Sequence, residues 1–435
     1  MITTKNSEDK KLNFLSEREQ SQACLNSAEH EKNQGRKVLN VPNLRFPEFK
    51  GEWRRSKFKK VITLQRGSSP RPIIKYITTS TDGVNWIKIG DMPHFGRIVT
   101  STEEKITREG AKKSRLVKKG DLILSNSMSY GLPYIMGVDG YIHDGWFVLK
   151  DFEDTFDKDY LCNLLISSAI QNQYKRLAAG GVVQNISSDL VNSVSVSIPL
   201  MEEQKKISSL LNLIDDRIAT QNKIIEDLKK LKCAIIEKVL NSNHCVNLRL
   251  GDVGSYIRGL TYSSNDVVEN DGTLVMRSNN IVNGSPLDYK RDVVSVNKQI
   301  SQEQQLQKGD IVICMANGSS ALVGKSSFYD GRCSFPITVG AFCGIYRPKM
   351  PVMKWLFQTN RYRRYIWKSL QGGNGAIANL NGEDILRMQF PIPDKQTAEC
   401  CTKFLSSLDS LIGSNVSLCS KFSQQKEYLL RQMFI

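Results

Sequence analysis

Two long segments of the chain carry apolar side chains at alternating steps of four and three residues. The first starts at Ile207 and the second at Cys401. An average step of 3.5 residues is the repeat of a left-handed coiled coil, so the pattern predicts two long helices that pack together. Unpaired amphipathic surface helices are the alternative interpretation. The predicted seam, meaning the positions that face the partner helix, contains Ile207, Leu211, Ile214, Ile218, Ile225, Leu228, Ile235 and Val239, and then Leu405, Leu408, Ile412, Phe422, Leu429 and Met433, with Cys401 and Cys419 at two further positions.

Both seams are interrupted by polar residues at matching positions. Gln221 in the first seam corresponds to Asn415 in the second, and Lys232 corresponds to Lys426. A shared pattern of interruptions is unexpected for two unrelated helices. It therefore indicates that the chain is an internal duplication.

The connections between the segments predict their direction. A short linker of residues 241–245 leads from the first helix into a second globular region, which ends at Ile392-Pro393 before the second helix begins. The two helices should therefore run antiparallel, with one globular domain at each end. A helix from Glu202 to Leu240 would be about 58 Å long at a rise of 1.5 Å per residue, which is roughly the length of 17 base pairs.

The globular regions repeat one another as well. Lys119-Gly120-Asp121 and Lys308-Gly309-Asp310 each place a Gly-Asp turn before an apolar run, which predicts a buried strand. Arg66-Gly67 matches Arg258-Gly259, and residues 86–89 run parallel to residues 274–277. Many short β-branched runs separated by Gly, Asn and Ser favour a mixed α+β domain.

These observations together predict an α+β fold with an internal pseudo-twofold repeat, in which two tandem globular domains are separated by a pair of long antiparallel coiled-coil helices. The expected parts are a polar, loosely ordered extension over residues 1–42, a first domain over 43–200, a helix over 201–241, a second domain over 242–393 and a helix over 394–435.

Charge indicates a polyanionic partner. The chain has 60 Lys and Arg against 44 Asp and Glu, a formal net charge of +16, and such an excess favours nucleic acid. The basic residues cluster at 54–60, 112–119 and 361–368, although each cluster alone could be an ordinary solvated face. In the third cluster, helical spacing predicts that Tyr362, Tyr365 and Ile366 face the core.

Sequence-specific contact with duplex DNA needs amide, hydroxyl and guanidinium groups that reach base edges. Loops beside the matched strands supply such groups in both globular regions. Ordinary polar loop chemistry is the alternative for any single residue. The candidate DNA-binding residues are Arg66, Ser68, Ser69, Arg71, Lys88, Asn126, Ser127, Ser129, Tyr130, Arg258, Arg277, Ser278, Asn279, Asn317, Ser319, Ser320 and Lys325.

Motifs for catalysis are missing from the sequence. Residues 323–326 end like a phosphate-binding loop, but the required earlier glycine is Ser319. The chain has no amino-methyltransferase tetrapeptide, its four His lack metal-ligand spacing, and its ten Cys form no Cys-x-x-Cys pair. We therefore expect no catalytic residue, no metal and no cofactor. With no apolar span or signal peptide apparent, a cytoplasmic location is expected.

The arrangement resembles the specificity (S) subunit of a Type I restriction-modification system. The resemblance covers residues 43–435. It rests on Asn43–Phe49 followed by Gly51-Glu52-Trp53, on the two Lys-Gly-Asp strands, and on Ile198-Pro199 followed by Glu203–Ile207. In the second copy the helix start is altered to Pro393-Asp394-Lys395-Gln396.

The resemblance implies a non-catalytic subunit of a host-defence complex. Each globular part would be a target recognition domain that reads one half of a bipartite, asymmetric site in double-stranded DNA. The helices would set the distance between half-sites and dock two modification (M) subunits, which methylate adenine with S-adenosylmethionine. ATP-dependent restriction (R) subunits would join through the complex.

Two other functions stay open from the residues alone. One is a self-contained DNA-modifying enzyme, either a nuclease or a methyltransferase, whose motif is not evident. The other is a coiled-coil scaffold that binds DNA without sequence preference.

Overall fold

The computed structural model describes residues 39–93, 96–126, 131–178, 185–240, 245–269, 272–289, 291–370 and 378–435. The predicted extension over residues 1–42 therefore lies mostly outside the described residues. The chain divides into two compact units, one reaching Ala219 and including Lys421–Ile435, the other formed by Thr220–Ser420. Among the described residues, no helix has the length and apolar content to cross a membrane.

The first unit contains an α+β domain. Its two five-stranded sheets have the orders β3-β6-β4-β10-β7 and β2-β11-β8-β9-β5, and β1 pairs with β12. The strands are β1 (Arg54–Lys57), β2 (Thr63–Arg66), β3 (Ile77–Thr78), β4 (Val84–Ile87), β5 (Ile98–Val99), β6 (Glu104–Ile106), β7 (Arg115–Val117), β8 (Leu122–Ser125), β9 (Pro133–Met136), β10 (Gly140–Ile142), β11 (Trp146–Lys150) and β12 (Ser195–Ile198). The helices are α1 (Arg108–Ala111), α2 (Lys158–Ile166), α3 (Ser168–Ala178), α4 (Ser188–Ser193) and the start of α5 (Met201–Leu240), with 3-10 turns at Phe58–Lys60, Ile73–Lys75 and Ile89–Asp91.

The second unit repeats this plan with four-stranded sheets, ordered β14-β22-β18-β20 and β15-β17-β16-β21, and with the pairs β13-β24 and β19-β23. Its strands are β13 (Cys245–Arg249), β14 (Gly254–Arg258), β15 (Val267–Val268), β16 (Thr273–Met276), β17 (Val294–Val296), β18 (Ile311–Cys314), β19 (Ala316–Asn317), β20 (Ser326–Phe328), β21 (Ile337–Val339), β22 (Cys343–Pro348), β23 (Ala378–Asn379) and β24 (Gln389–Pro393). Its helices are α6 (Leu250–Val253), α7 (Asn360–Leu370), α8 (Gly382–Leu386) and most of α9 (Lys395–Gln432), with 3-10 turns at Ser264–Asp266, Ser278–Asn280, Ser320–Leu322 and Pro351–Gln358. The predicted α+β fold with two domains and two long helices is confirmed.

The two Lys-Gly-Asp turns have the same backbone conformation. Gly120 and Gly309 adopt φ values of +92° and +97°, a left-handed region that glycine enters without a steric penalty. The strands that follow, β8 and β18, are buried at every position. The predicted buried strand after each turn is therefore confirmed.

The aspartates of these turns stabilise them in the same way. Asp121 accepts a hydrogen bond from the backbone N–H of Lys118 at 2.9 Å, and Asp310 accepts one from Gln307 at 2.7 Å. Each carboxylate also binds a cation on the next strand of its sheet, Lys150 at 2.6 Å for Asp121 and Arg347 at 2.7 Å for Asp310.

The N-terminal part of the first domain is fastened to the start of α5. Arg45 makes a bidentate ion pair with the fully buried Glu203, with both nitrogen–oxygen distances at 2.8 Å. The Trp53 indole N–H also donates to Glu203, at 3.2 Å. Asn40 is buried and its amide donates to the Trp53 carbonyl at 2.6 Å, so the domain includes at least Asn40. The opening motif and the helix start thus form one contact.

The second long helix begins differently. Asp394 accepts hydrogen bonds from the backbone N–H and the hydroxyl of Thr397, both at 2.9 Å. This is the N-cap interaction that satisfies free N–H groups at a helix start. The altered sequence at this position therefore supplies a local cap.

All of the predicted apolar seam positions are buried or half-buried. The buried ones are Ile207, Leu211, Ile214, Ile225, Leu405, Leu408, Leu429 and Met433. The half-buried ones are Ile218, Leu228, Ile412 and Phe422. Ile235 and Val239 near the end of α5 are half-buried too, but there the deepest burial shifts by one residue, to Ile236 and Leu240.

This shift has two physical causes. A straight helix of 3.6 residues per turn drifts by about 20° per heptad relative to a 3.5-residue repeat. In addition, Ile236 and Leu240 join the core of the second domain, where they pack with Leu250 and Phe390. The last turn of α5 therefore faces a globular domain as well as a helix.

The polar seam residues are paired across the antiparallel helices. The Gln221 amide donates to the Asn415 side chain, 194 residues away. In the second unit Lys232 binds Asp409 at 2.8 Å. In the first unit Lys426 binds Asp215 at 2.5 Å. The two ion pairs are counterparts under the internal repeat, since the lysines match one another and each aspartate directly follows a seam position.

Each of these aspartates also contacts its own globular domain. Asp215 lies 3.3 Å from the Arg97 guanidinium. Asp409 accepts a hydrogen bond from the Trp355 indole at 3.1 Å and lies 3.6 Å from the Lys354 ammonium. Burial lowers the pKa of Lys354 and of Lys426, while the facing carboxylates oppose that shift. Helix pairing and domain attachment therefore share the same two carboxylates.

Replacing Lys232 by Met should test the value of this pairing. The substitution keeps the apolar stem but leaves the Asp409 charge with fewer partners. We expect a loss of about 2 kcal/mol in unfolding free energy, less than for a fully buried pair because Trp355 and Lys354 still contact Asp409. Urea unfolding followed by circular dichroism measures it.

The matched control is Lys230→Met on the same helix, where Lys230 pairs with Glu226 on an exposed face. Exposed pairs contribute little, so this variant should unfold at the wild-type urea concentration. Equal midpoints for the two variants would contradict a special role for the buried pair.

Candidate nucleic-acid interface

In the first domain, the turn of residues 143–145 between β10 and β11 holds several candidate segments together. The backbone N–H of Gly67 donates to the Trp146 carbonyl at 2.9 Å, and that of Ser68 donates to Ile142 at 3.3 Å. On the other side, the Asn126 N–H donates to the Gly145 carbonyl at 3.0 Å. The segments that carry Arg66, Ser68 and Asn126 thus converge on one turn.

The second domain builds the same framework around residues 340–342, between β21 and β22. Leu260 N–H donates to Val339 at 2.7 Å, and Gly340 N–H donates to Met276 at 2.8 Å. Met315 N–H donates to the Phe342 carbonyl at 2.8 Å. The segments that carry Arg258, Arg277 and Asn317 are therefore adjacent to this turn.

Two glycines make this close packing possible. A Cβ atom on Gly67 would lie 2.0 Å from the His143 carbonyl oxygen, and one on Gly259 would lie 2.2 Å from the Gly340 carbonyl oxygen. No real side chain tolerates such a distance to backbone. The matched Arg-Gly pairs in the sequence therefore mark equivalent sites of close backbone approach.

One predicted match between the copies is wrong by a single residue. The N–H of Lys88 donates to Asp91 at 2.7 Å, and the N–H of Arg277 donates to Asn280 at 2.8 Å, in equivalent turns after β4 and β16. Lys88 therefore corresponds to Arg277, whereas the sequence match placed Lys88 opposite Met276. Short apolar runs do not define register by themselves, because it is the burial of alternate side chains that does so.

Asp144 contacts four of the six first-domain candidates that the structure describes. Its carboxylate accepts from the Ser69 hydroxyl at 2.7 Å and from Arg71 at 3.3 Å. Its backbone carbonyl accepts from the Arg66 guanidinium at 3.2 Å and from the Asn126 amide at 2.9 Å. The Ser69 hydrogen bond, aided by the Arg71 charge, lowers the pKa of Asp144. Arg66 and Arg71 remain exposed and could meet a polyanion.

A concave pocket of about 580 Å³ adjoins this cluster and is lined by Trp86, Lys88 and His143 among others. Lys88 binds Glu104 at 2.7 Å, and this hydrogen bond raises its pKa. Burial lowers the pKa of His143, which favours its neutral form. The positive charge at the pocket is therefore partly neutralised by a carboxylate of the same domain.

In the second domain, two of the candidates contact Asp292. Arg277 donates to its carbonyl at 2.9 Å, and the Asn279 amide donates to its carboxylate at 3.2 Å. The Asn317 side-chain amide donates a hydrogen bond to the Ser278 hydroxyl at 3.4 Å. Arg277 and Asn279 are exposed, so the cluster has solvent-facing donors.

The remaining candidates differ in how accessible they are. Arg258, Ser319 and Ser320 are exposed, and Ser68 and Lys325 are half-buried. Asn126 is 5% exposed, and its amide already bonds to backbone, so a direct base contact is disfavoured. Ser127, Ser129 and Tyr130 lie outside the described residues.

The third basic cluster forms α7. Tyr362 and Ile366 are buried and Tyr365 packs beside them, as predicted. Arg363, Arg364 and Lys368 face solvent. The expectation of an apolar face towards the core and a basic face outward is confirmed. The exposed basic residues of the other two clusters are Arg54, Arg55, Lys57, Lys59, Lys60, Lys112, Lys113, Lys118 and Lys119.

Sequence reasoning missed the two turns at the centre of these clusters. Neither Asp144 nor Phe342 was among the candidates. A signal was present, because each turn lies between an apolar strand and a second apolar run that begins at Trp146 or Cys343. Which loops meet at those turns depends on strand pairing. Within the described ranges, no group of His, Cys, Asp and Glu is arranged to hold a metal ion.

Comparison with known protein families explains the duplicated design. The family model for the Type I restriction modification DNA specificity domain matches this chain twice, over residues 50–230 and 244–416. The chain belongs to this family. Each match takes in one globular domain and part of the long helix that follows it.

Curated relatives within this family share part of the chain. The Type I restriction enzyme EcoKI specificity subunit of Escherichia coli (strain K12) is 30% identical over 187 residues, which cover 41% of this chain and 38% of that protein. The StySPI specificity subunit of Salmonella potsdam is 33% identical over 170 residues, which cover 36% and 35%. The match therefore spans less than half of the length of these relatives.

Among solved structures, the S subunit of a Type I restriction-modification system from M. genitalium has the same fold. It superposes with a TM-score of 0.53 at 14% identity, and the match covers 91% of this chain and 99% of that one. The likeness extends over both domains and both helices, so it supports the fold of this family across the chain.

The close backbone approach at Gly259 can be tested by Gly259→Ala. The added methyl group would meet the Gly340 carbonyl, which cannot move without displacing β21 and β22. Overpacking of this kind costs about 1 to 3 kcal/mol, so we expect a lower thermal midpoint for the second domain. Differential scanning calorimetry measures the change.

Gly318→Ala provides the control, because a Cβ atom there meets nothing within 4 Å. Gly318 lies in the neighbouring candidate loop, so general disturbance of the surface would affect both variants. A midpoint for Gly259→Ala that equals that of Gly318→Ala would contradict the role assigned to the close approach.

Proposed function

We propose that this chain is the DNA specificity subunit of a Type I restriction-modification complex, in which each globular domain reads one half of a bipartite, asymmetric DNA site. One observation carries the proposal. The two domains share a single hydrogen-bond framework around the 143–145 and 340–342 turns, yet present different side chains on it. A conserved framework with different exposed groups is suited to reading two different sequences.

The electrostatics support duplex DNA as the ligand. The net charge of +16 provides non-specific attraction to phosphates through counterion release. Arg66, Arg71, Arg258 and Arg277 are exposed beside the two turns, and guanidinium groups can donate two hydrogen bonds to guanine. Attraction and base reading would then use the same surfaces.

The long helices would hold the two domains at a set distance and dock the modification subunits. The paired Lys–Asp contacts and the Gln221–Asn415 hydrogen bond favour one register of the helix pair. Both helices also leave large apolar side chains in solvent, which favours a protein partner. These exposed side chains include Leu213, Ile224 and Leu231 on α5 and Phe404, Leu411 and Leu418 on α9.

In this proposal the chain itself carries out no chemistry. Two M subunits would methylate adenine with S-adenosylmethionine, and R subunits would use ATP within the complex. Methyl transfer or DNA cleavage by the purified chain alone would favour an enzyme instead. Uniform protection of many DNA sequences by the assembled complex would favour a scaffold without sequence preference.

Exchanging the first recognition domain tests the assignment of half-sites. The exchange of residues 58–194 with those of another family member keeps the β1–β12 pair and the contact of Arg45 with Glu203. We expect one half of the methylated sequence to change while the other half and the spacing stay the same. Mapping methylated adenines in a host that carries the chimera and its M subunit measures this.

The reciprocal exchange in the second domain is the control, and it should change only the other half-site. Changes in both half-sites after either single exchange would contradict independent reading. An unchanged methylation map after both exchanges would contradict a recognition role for either domain.

The spacing role predicts the effect of lengthening both helices. Inserting seven residues directly after Gln221 and seven directly before Asn415 keeps the Gln221–Asn415 hydrogen bond and both Lys–Asp pairs in register. Seven residues add about 10 Å of helix, or roughly three base pairs. We expect the spacer in the methylated site to lengthen by about that amount, as read from a methylation map.

Insertion into α5 alone should abolish methylation instead, because only one of the two Lys–Asp pairs would then keep its register. An unchanged spacer in the doubly lengthened protein would contradict the spacing role of the helices.

A further inference from the structure

Phe342 is a large apolar side chain left in solvent at the centre of the second candidate interface. It is 67% exposed, and it is the last residue of the 340–342 turn. Its backbone is held firmly, because its carbonyl accepts hydrogen bonds from Met315 at 2.8 Å and Ala316 at 3.1 Å. The ring therefore projects from a rigid support.

The framework itself does not need this ring. The equivalent position in the first domain is Gly145, whose carbonyl accepts the matching hydrogen bond from Asn126 at 3.0 Å. The turn therefore forms with no side chain at this position. The ring at this position is therefore free to contact a ligand without disturbing the turn.

Segments that carry cationic and amide side chains lie next to the turn. Arg258 pairs across the sheet with Gly344, two residues beyond Phe342. Arg277 directly follows Met276, which accepts the hydrogen bond that begins the turn. Asn317 directly follows Ala316. A duplex drawn in by these arginines would therefore bring its bases close to the ring.

We propose that Phe342 contacts a base of the second half-site through the apolar surface of its ring, and so determines specificity in that domain. This rests on the function proposed above. The ring has no hydrogen-bonding group, so it would recognise the methyl group of a thymine in the major groove or enter a flexible base step.

The first domain would read its half-site by different chemistry. There the corresponding turn carries Asp144, which holds the exposed Arg71 at 3.3 Å. A guanidinium fixed in this way is suited to the hydrogen-bond acceptors of guanine or to a phosphate. The same backbone turn thus presents an apolar ring in one domain and a charged donor in the other.

The test is Phe342→Ala in the complete complex with its M subunits. We expect about tenfold weaker binding to the wild-type site, the effect of one lost base contact. We also expect relaxed sequence preference in the second half-site and an unchanged first half-site. Binding curves on cognate DNA and a methylation map measure both effects.

Phe335→Ala is the matched control. Phe335 is 60% exposed in the same domain, but it precedes β21 and so lies at the opposite end of that strand from the turn. Its loss should change neither binding nor the methylation map. Equal losses for the two variants would overturn the proposal. A lowered thermal midpoint for Phe342→Ala would also overturn it, since that would show that the ring stabilises the fold.

The outcomes separate this inference from the proposed function. If the wild-type complex methylates no defined sequence, the proposed function fails. If it methylates a defined sequence and Phe342→Ala methylates the same sequence equally well, only this inference fails. If Phe342→Ala does relax the second half-site, the kind of contact is identified by replacing the thymines of that half-site by deoxyuridine. Loss of binding by the wild-type complex would identify a contact with a thymine methyl group, and retained binding would identify insertion at a base step.

Discussion

A carboxylate held between the two long helices is the contact on which the arrangement of each unit depends. In the first unit Asp215 binds Lys426 on the other helix and lies against Arg97 of the globular domain. In the second unit Asp409 does the same with Lys232 and Lys354. An unpaired charge at such a position is costly, so each carboxylate stabilises both the helix register and the attachment of the domain.

This arrangement separates the parts of the molecule that must stay constant from those that can vary. The Lys-Gly-Asp turns, the buried strands after them and the close approach at Gly67 and Gly259 form the same framework twice. The side chains on the 143–145 and 340–342 turns differ completely. The side chains of these turns can therefore differ without changing the framework, because the framework consists of backbone hydrogen bonds.

The periodicity of the sequence was sufficient to predict the helices, because a 3.5-residue repeat reflects burial along a single seam. It did not predict that, at the end of α5, Ile236 and Leu240 are more deeply buried than the half-buried seam residues Ile235 and Val239. Packing against a globular domain decides that last turn, and such packing leaves no periodic signal. The one-residue error in matching Lys88 to its counterpart has a similar origin, since register depends on the neighbouring strand.

By itself, the sequence determined the duplication, the two antiparallel helices, the α+β domains and the basic charge of this family member, because each leaves a local or periodic pattern. Only the tertiary structure decided that the Lys232 and Lys426 interruptions are ion pairs with Asp409 and Asp215, since their partners are far away along the chain. It also decided that Asp144 and Phe342 lie at the centres of the candidate surfaces. Those positions arise from hydrogen bonds between strands, which no short stretch of sequence contains.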